Sequence, residues 1–404
     1  MLSVDEARHR IVDSLPPLGG ETVSLSEALG RVLAGDVAAR LTQPPVAMSA
    51  MDGYAVRASD VDAVPVTLSV IGEAAAGGGF SGEVGTGQAV RIFTGGPVPR
   101  GADAVVIQED TTRDADRVTI SESAKAGLNI RDAGIDFKAG QILLRRGHVL
   151  SARDIALAAA MNRAWLSVGR KPRVAILATG DELVRPGDPV GPNQIVSSNG
   201  PGLAAFVRAC GGEPVDLGIA PDDPEVLRSI AAGARGVDLL ITIGGASVGD
   251  HDLVQKELSK IGLTVDFWKI AMKPGKPLMF GSFNGIPMIG LPGNPVSALV
   301  CAILYLQPSL LKLQGASATD LAMARAKLAA PLRANNFRED FLRATLTRDA
   351  EGEAMATALP VQDSSMLSAL AGADCLIRRP ANAPAAAAGE WVPILPLGGG
   401  ISGI

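Results

Sequence analysis

From Lys171 to about Gln307 one pattern repeats: an apolar run stops at glycines or acids, and helical spacing follows. RVAILATGDEL, PVDLGIAPDDP, VDLLITIGGASVGDHD and PMIGLPGNPVSA are its instances. Short apolar runs alternating with helical segments form parallel strands buried on both faces. The helices are expected from Asn199 to Cys210, from Pro224 behind Asp222-Asp223, along HDLVQKELSKIG and along SALVCAILYLQ. FWKIAM and PLMFGSF read as further short strands. In open parallel sheets, ligands bind beyond the carboxyl ends of the strands. Each loop of the pattern lies at such an end, so a site along one sheet edge is expected.

The rest of the chain has a different texture. Residues 1 to about 42 read as two short helices, each opening with capping-box spacing, Ser3 to Glu6 and Ser24 to Glu27. From Gln43 to about Phe137, pieces such as VPVTLSVIG and GQAVRIFTGG, cut by Gly and Pro, predict a β-rich domain. Asp52-Gly53 in SAMDGYA reads as a turn crowded by Met48, Met51 and Tyr54. A helix near 152 to 164 is expected to rejoin the N-terminal helices. After about Ala318 the chain turns β-rich again, and FLRATLTRDAEGEAMATALPV resembles a hairpin.

Composition removes several function classes. Aromatics are 3%, and the 37 basic and 42 acidic residues leave a net charge of −5 with no basic stripe, so nucleic acid is not an expected partner. The longest apolar run, VSALVCAILYL, is about half of the ~20 residues a membrane span needs. MLSVDEARHR carries acids too early for a signal peptide. Cys210, Cys301 and Cys375 lie far apart without CxxC spacing, as buried free thiols of a reducing compartment do. A soluble, cytoplasmic protein is expected.

The loops suggest chemistry. In GGASVGD, Gly244, Gly245 and Gly249 let backbone amides approach an anion, Ser247 adds a hydroxyl, and the next helix adds its positive end. Gly293, Asn294 and Ser297 of LPGNPVSA repeat the logic, with Ser297 in the first helical turn. A plain strand-to-helix turn would explain either loop alone. Asp181, Glu182, Asp222, Asp250 and Asp252 crowd the same edge. Carboxylates beside phosphate need a cation between them, and hard oxygen ligands suit Mg²⁺. The competing account is N-capping by Asp222 and Asp250. Lys269, Lys273 and Lys276 form a cationic cluster; an extended stretch from Phe267 to Met272 would put the first two on one face. A solvated lysine edge is the alternative. His251 reads as a helix N-terminal residue, and no Ser/His/Asp or Cys/His arrangement is visible.

SAMDGYA, IFTGGPVPRGADAVV, ATGDEL, GGASVGDHD, KPGKP and LPGNPVSA, in this order over nearly the whole chain, resemble the molybdopterin molybdenumtransferase family: bacterial MoeA and the E domain of gephyrin. The resemblance implies a multidomain α/β plus β fold. Its parts are a helical linking region (1–42 with 138–169), a β-rich domain (43–137), a MoaB/MogA-like doubly wound α/β domain (170–317) that binds molybdopterin, and a C-terminal β-barrel-like domain (318–404). It implies insertion of molybdate into adenylated molybdopterin with Mg²⁺-dependent release of AMP, in molybdenum cofactor biosynthesis. It also implies a homodimer with a shared active site, and the adenylyltransferase as an upstream partner. By motif, Asp52, Thr94, Glu182, Asp222, Asp252, Lys269 and Lys273 match catalytic positions, with Asp222, Glu182 and Asp252 as metal ligands. Asp136, Lys276, Pro277, Arg343 and Ser364 match substrate-binding positions, beside Gly244, Gly245, Ser247, Gly249, Asp250, Gly293, Asn294 and Ser297. One departure stands out: family members often carry His two residues before the serine matched by Ser364, and in this chain Val361 and Gln362 occupy that neighbourhood. An adenylyltransferase, a catalytically silent scaffold paralogue and a preference for tungstate remain open at this point.

Overall fold

The computed structural model describes residues 1–244 and 257–397, in two compact units. One unit comprises Met1–Gly35, Arg146–Arg153 and the chain from Leu166 onward; the other comprises Asp36–Arg145 and Asp154–Trp165.

The larger unit is built on a six-stranded sheet. Its order is Glu213–Ala220, Arg173–Thr179, Leu239–Ile243, Ile286–Leu291, Met279–Phe283, Leu263–Trp268. The first four run parallel, Met279–Phe283 runs against them, and Leu263–Trp268, antiparallel to that strand, again runs in their direction. The continuous apolar run is explained by burial on both faces. Ile176 and Ala178 face Leu203, Val207, Val296 and Val300, while Ala175 and Leu177 face Leu227 and Ala231. Asn199–Ala209 and Pro224–Ala231 are helices as expected. HDLVQKELSKIG lies outside the described residues up to position 256; 257–259 are helical.

The helix expected along SALVCAILYLQ runs continuously over Pro295–Leu313, through a π-helical turn at Ala302–Leu306. At 19 residues and mean hydropathy 1.7 it is long and apolar enough to cross a membrane, unlike the shorter run expected. Within the described residues, however, 72% of it is buried against protein, as in a core helix.

The C-terminal hairpin forms as expected, Glu339–Arg348 against Ala354–Ala358. With Ala324–Leu328, Trp391–Pro396 and Cys375–Arg379 it closes on itself as a five-stranded barrel, because Cys375–Arg379 also pairs with Glu339–Arg348. Closure removes exposed strand edges.

The first helix, Val4–Asp13, opens as the capping box predicts, with Ser3 Oγ accepting from the Glu6 amide at 3.2 Å. The second expected helix does not form. Gly20–Ser24 is a strand and Leu25–Glu27 only a 3₁₀ turn. Tertiary pairing overrides the helical pattern: Val32 bridges Val149, and the Leu33 amide donates to the His148 carbonyl.

The smaller unit carries a six-stranded sheet in the order Ala104–Ile107, Gly53–Val56, Gln88–Ile92, Val66–Ala74, Arg117–Ile120, Thr111–Asp114. The helix Ala152–Ala160 falls mainly here rather than with the N-terminal segment. Arg40 donates its amide to Met161, and Arg163 Nε donates to the Ala38 carbonyl at 2.8 Å.

Candidate active site

The four parallel strands end level. Thr179 stands opposite Ala220, Ala178 opposite Ile243, and Ile243 opposite Leu291. The described residues that follow them, Gly180, Pro221, Gly244 and Pro292, therefore lie along one sheet edge, as the alternating pattern predicts. Packing there is close. A Cβ on Gly244, at φ +86°, would lie 2.9 Å from the Thr179 carbonyl oxygen, and one on Gly293 would lie 3.7 Å from Gly244 Cα. The Gly244 amide donates to the Leu291 carbonyl at 3.2 Å. Gly245, Ser247, Gly249, Asp250, His251 and Asp252 lie outside the described residues.

Beside this junction is an open cleft of about 360 Å³, lined by Gly180, Asp181, Leu183, Arg185, Asp188 and Pro221 among others. Asp181 accepts the Asp222 amide at 2.9 Å and so fixes the second loop to the first. Glu182 is exposed and folds back over Gly180: a Cβ there would lie 2.3 Å from Glu182 Oε2. The helix cap is Asp223, not Asp222. Asp223 Oδ1 accepts the Glu225 and Val226 amides at 2.8 and 2.9 Å, which leaves the exposed Asp222 carboxylate outside the cap. Asp223→Ala should cost about 1 kcal/mol of stability, read as a shift in denaturation midpoint, with Asp222→Ala nearly neutral. Equal costs would mean that Asp222 shares the cap.

At the fourth loop Gly293 and Asn294 are exposed, whereas Ser297 is only 5% exposed. The expected outward hydroxyl of Ser297 is therefore corrected: Pro295 opens the helix and the serine turns into the protein. Asn294 Nδ2 donates to Ser364 Oγ at 2.7 Å, and the Val296 amide donates to the Ser364 carbonyl. These bonds bring the C-terminal residue Ser364 to the strand-end loops. Asn199, which the motifs did not single out, donates Nδ2 to the Gly293 carbonyl at 2.6 Å.

Arg343 is not a surface anion ligand. It is 2% exposed, and Nη1 donates to the Asp363 and Met366 carbonyls, while Gln362 Oε1 accepts from its Nε and its amide. Gln362 Nε2 in turn donates to the Arg343 and Leu359 carbonyls. The residue at the departure from the family pattern thus helps to shape the loop that holds Ser364.

The lysine segment is not one extended strand. The first strand ends at Trp268, Lys269 takes φ +81°, and Met272–Lys273 pairs with the barrel strand Glu339–Arg348 instead. Sheet alternation therefore does not put Lys269 and Lys273 on one face. Lys269 Nζ lies 4.6 Å from the Trp268 ring centroid. Gly275, at φ +108°, packs against Cys301, where a Cβ would lie 2.5 Å from Sγ. The turn continues through the half-buried Lys276 and Pro277.

In the smaller unit Asp52 Oδ1 accepts both the Thr94 amide at 2.7 Å and the Thr94 hydroxyl at 2.8 Å. The amide bond, then the hydroxyl bond, and then the nearby Arg91 charge hold the Asp52 carboxyl below its ordinary range. Asp52-Gly53 is no turn: Gly53 opens a strand paired on both sides. Asp136 is exposed, and its amide donates to the Gln43 carbonyl at 3.1 Å. All three cysteines are free; burial pushes Cys210 and Cys375 up to about 11 and Cys301 higher still, so none supplies a thiolate at neutral pH.

Comparison with known proteins agrees with this arrangement. Residues 2–162 match the MoeA N-terminal region (domain I and II), 175–312 a probable molybdopterin binding domain, and 325–397 the MoeA C-terminal region (domain IV). The molybdopterin molybdenumtransferase of Haemophilus influenzae is 38% identical over 98% of both chains. The chain belongs to the molybdopterin molybdenumtransferase family. A second member, molybdopterin molybdenumtransferase 2 of Mycobacterium tuberculosis, is 37% identical over 98% of this chain and 99% of its own. The crystal structure of the molybdopterin biosynthesis MoeA protein from Pyrococcus horikoshii OT3 superposes with TM-score 0.85 at 29% identity, covering 98% of this chain and 99% of that one.

Proposed function

We propose that this chain inserts molybdate into adenylated molybdopterin, cleaving the phosphoanhydride, releasing AMP and leaving molybdenum on the dithiolene. The observation that carries the reading is the common edge on which Gly180, Pro221, Gly244 and Gly293 follow level strand ends, in a chain of this family. The exposed Gly293-Asn294 loop suits an oxyanion, and Lys269, Lys273 and Lys276 supply the positive charge that offsets repulsion between two anionic substrates. Catalysis by positioning and charge neutralisation fits the raised thiols, and a covalent adduct trapped in mass spectrometry would refute it.

Among the described residues no cluster of three or more His, Cys, Asp or Glu could hold a metal, so no all-protein cage is present there. An open site of one or two carboxylates suits Mg²⁺, which keeps waters and takes substrate phosphate oxygens as ligands. Asp222 and Glu182 would hold it, with Asp252 as a third candidate, and it would supply charge that polarises the phosphoanhydride. We further propose the four-region division given above, with the helix Ala152–Ala160 assigned to the β-rich domain, a cytoplasmic homodimer with a shared site that includes Asp52, Thr94 and Asp136, and an adenylyltransferase that supplies the substrate. The three family matches support the division.

The test is AMP release from adenylated molybdopterin, with molybdate and Mg²⁺ each present or omitted. Wild type should need both, and Asp222→Ala should lose at least a hundredfold in rate. Nucleotide binding without AMP release under any oxyanion would instead point to a catalytically silent paralogue.

A further inference from the structure

We propose that Arg91 is the positioning residue for Asp52, an assignment that rests on the reading of Asp52 as part of the reaction site. Arg91 lies on the strand Gln88–Ile92, directly opposite Tyr54, while Gly53 stands opposite Ile92. Its guanidinium is held at two points: Nη1 donates to the Gly53 carbonyl at 3.2 Å, and Nη2 to Gln108 Oε1 at 2.7 Å. It also lies 4.8 Å from the centroid of the Phe93 ring and 5.2 Å from that of Tyr54. Two donors in a fixed plane, stacked on aromatic rings, are what Arg offers and Lys does not.

This clamp touches a neighbour of each member of the Asp52–Thr94 pair. It grips the carbonyl of Gly53, the residue after Asp52, and it lies over the ring of Phe93, which precedes Thr94. Gln108 closes the ring, because its amide donates to the Asp52 carbonyl at 3.0 Å. Asp52 Oδ1 is already committed to two Thr94 bonds, which leaves Oδ2 for a partner outside the loop. Arg91 therefore holds the backbone carbonyl after Asp52, lies against the side chain before Thr94, and adds a positive charge beside the pair. Holding such a pair rigid is worth large factors in rate, because small displacements of a positioned group are costly.

Two measurements test the assignment. The first does not depend on turnover: amide hydrogen exchange at Thr94 and, as an internal reference, at Val90, in wild type and Arg91→Met. Protection at Thr94 should fall at least tenfold while Val90 is unchanged. Unchanged protection at Thr94, or equal loss at both amides, would overturn the proposal. The second is a double-mutant cycle of AMP release with Asp52→Asn. Arg91→Met should lower kcat at least tenfold with little change in KM, Arg91→Lys should not restore it, and the double variant should be no slower than Asp52→Asn alone. Additive losses would mean that Arg91 acts independently of Asp52. If Arg91→Met does not fold, Gln108→Leu removes one anchor without a charge change and should reduce Thr94 protection and kcat in the same direction. A wild-type chain that releases no AMP would defeat the transferase reading, while the exchange measurement would still decide the role of Arg91.

Discussion

Gly53→Ala is expected to unfold the smaller unit, with a loss of roughly 4 kcal/mol or more in its denaturation midpoint. Gly53 is paired on one side with Ile92 and on the other with Ile107. A Cβ there would stand 1.9 Å from the Val106 carbonyl oxygen, 2.9 Å from its carbon and 3.0 Å from Ile107 Cα. All three are backbone atoms, so no rotamer change relieves the clash. Either a strand leaves the sheet or the residues around Gly53 shift, and the second outcome takes Asp52 away from Thr94. Following hydrogen exchange in the sheet of the smaller unit separately from that in the sheets of the larger one would localise the loss. A variant within about 0.5 kcal/mol of wild type would mean that this strand junction is far more yielding than its close approach implies.

Arg343→Met is expected to cost about 3 kcal/mol or more, since each buried carbonyl left without its donor costs about 1 to 3 kcal/mol. The substitution keeps the apolar stem but strands the carbonyls of Val361, Asp363 and Met366, each of which accepts from the guanidinium. It also leaves Gln362 Oε1 with only the residue 343 amide. These groups shape the loop that presents Ser364 to Asn294. The variant should therefore show a raised KM for molybdate besides its lower midpoint, and Arg343→Lys should not rescue either, since one ammonium cannot reach the same carbonyls. A stable variant with an altered KM alone would return Arg343 to the role of a direct anion ligand.

Much of the α/β sheet was legible because burial on both faces writes itself as uninterrupted apolar sequence, as in RVAILATG. The loops at its carboxyl ends were legible for the same reason, since small residues interrupt those runs where strands must approach closely. What sequence did not carry was direction. Ser297 and Asn294 are both polar residues near one helix start, yet only the asparagine is exposed. Asp222 and Asp223 are equally good caps by composition, and backbone geometry alone chooses the second. Lys269 and Lys273 looked like one face of a strand until a left-handed residue intervened between two different sheets. Asp-Gly at 52 and 53 carries a turn signature, but the glycine is there because neighbouring backbone leaves no room for a Cβ. Arg91 passed unnoticed because its role depends on partners at 53 and 108, which no local spacing joins. A cue was present in hindsight: a charged residue within GQAVRIFTGG, a strand otherwise rich in apolar residues.

The helix at Val4–Asp13 has a bearing on the order in which the chain can finish folding as it is synthesised. Asp5 is bound by Arg378, which also bonds Glu339, and Leu2 accepts the amide of Ala271. This helix thus waits for partners made several hundred residues later. The smaller unit has no such delay, since the sheet strands lie within Gly53–Ile120 and are complete early. A nascent chain halted near residue 170 should therefore already protect that sheet from protease while its first helix is still open to cleavage. Only release of nearly the full chain should protect both.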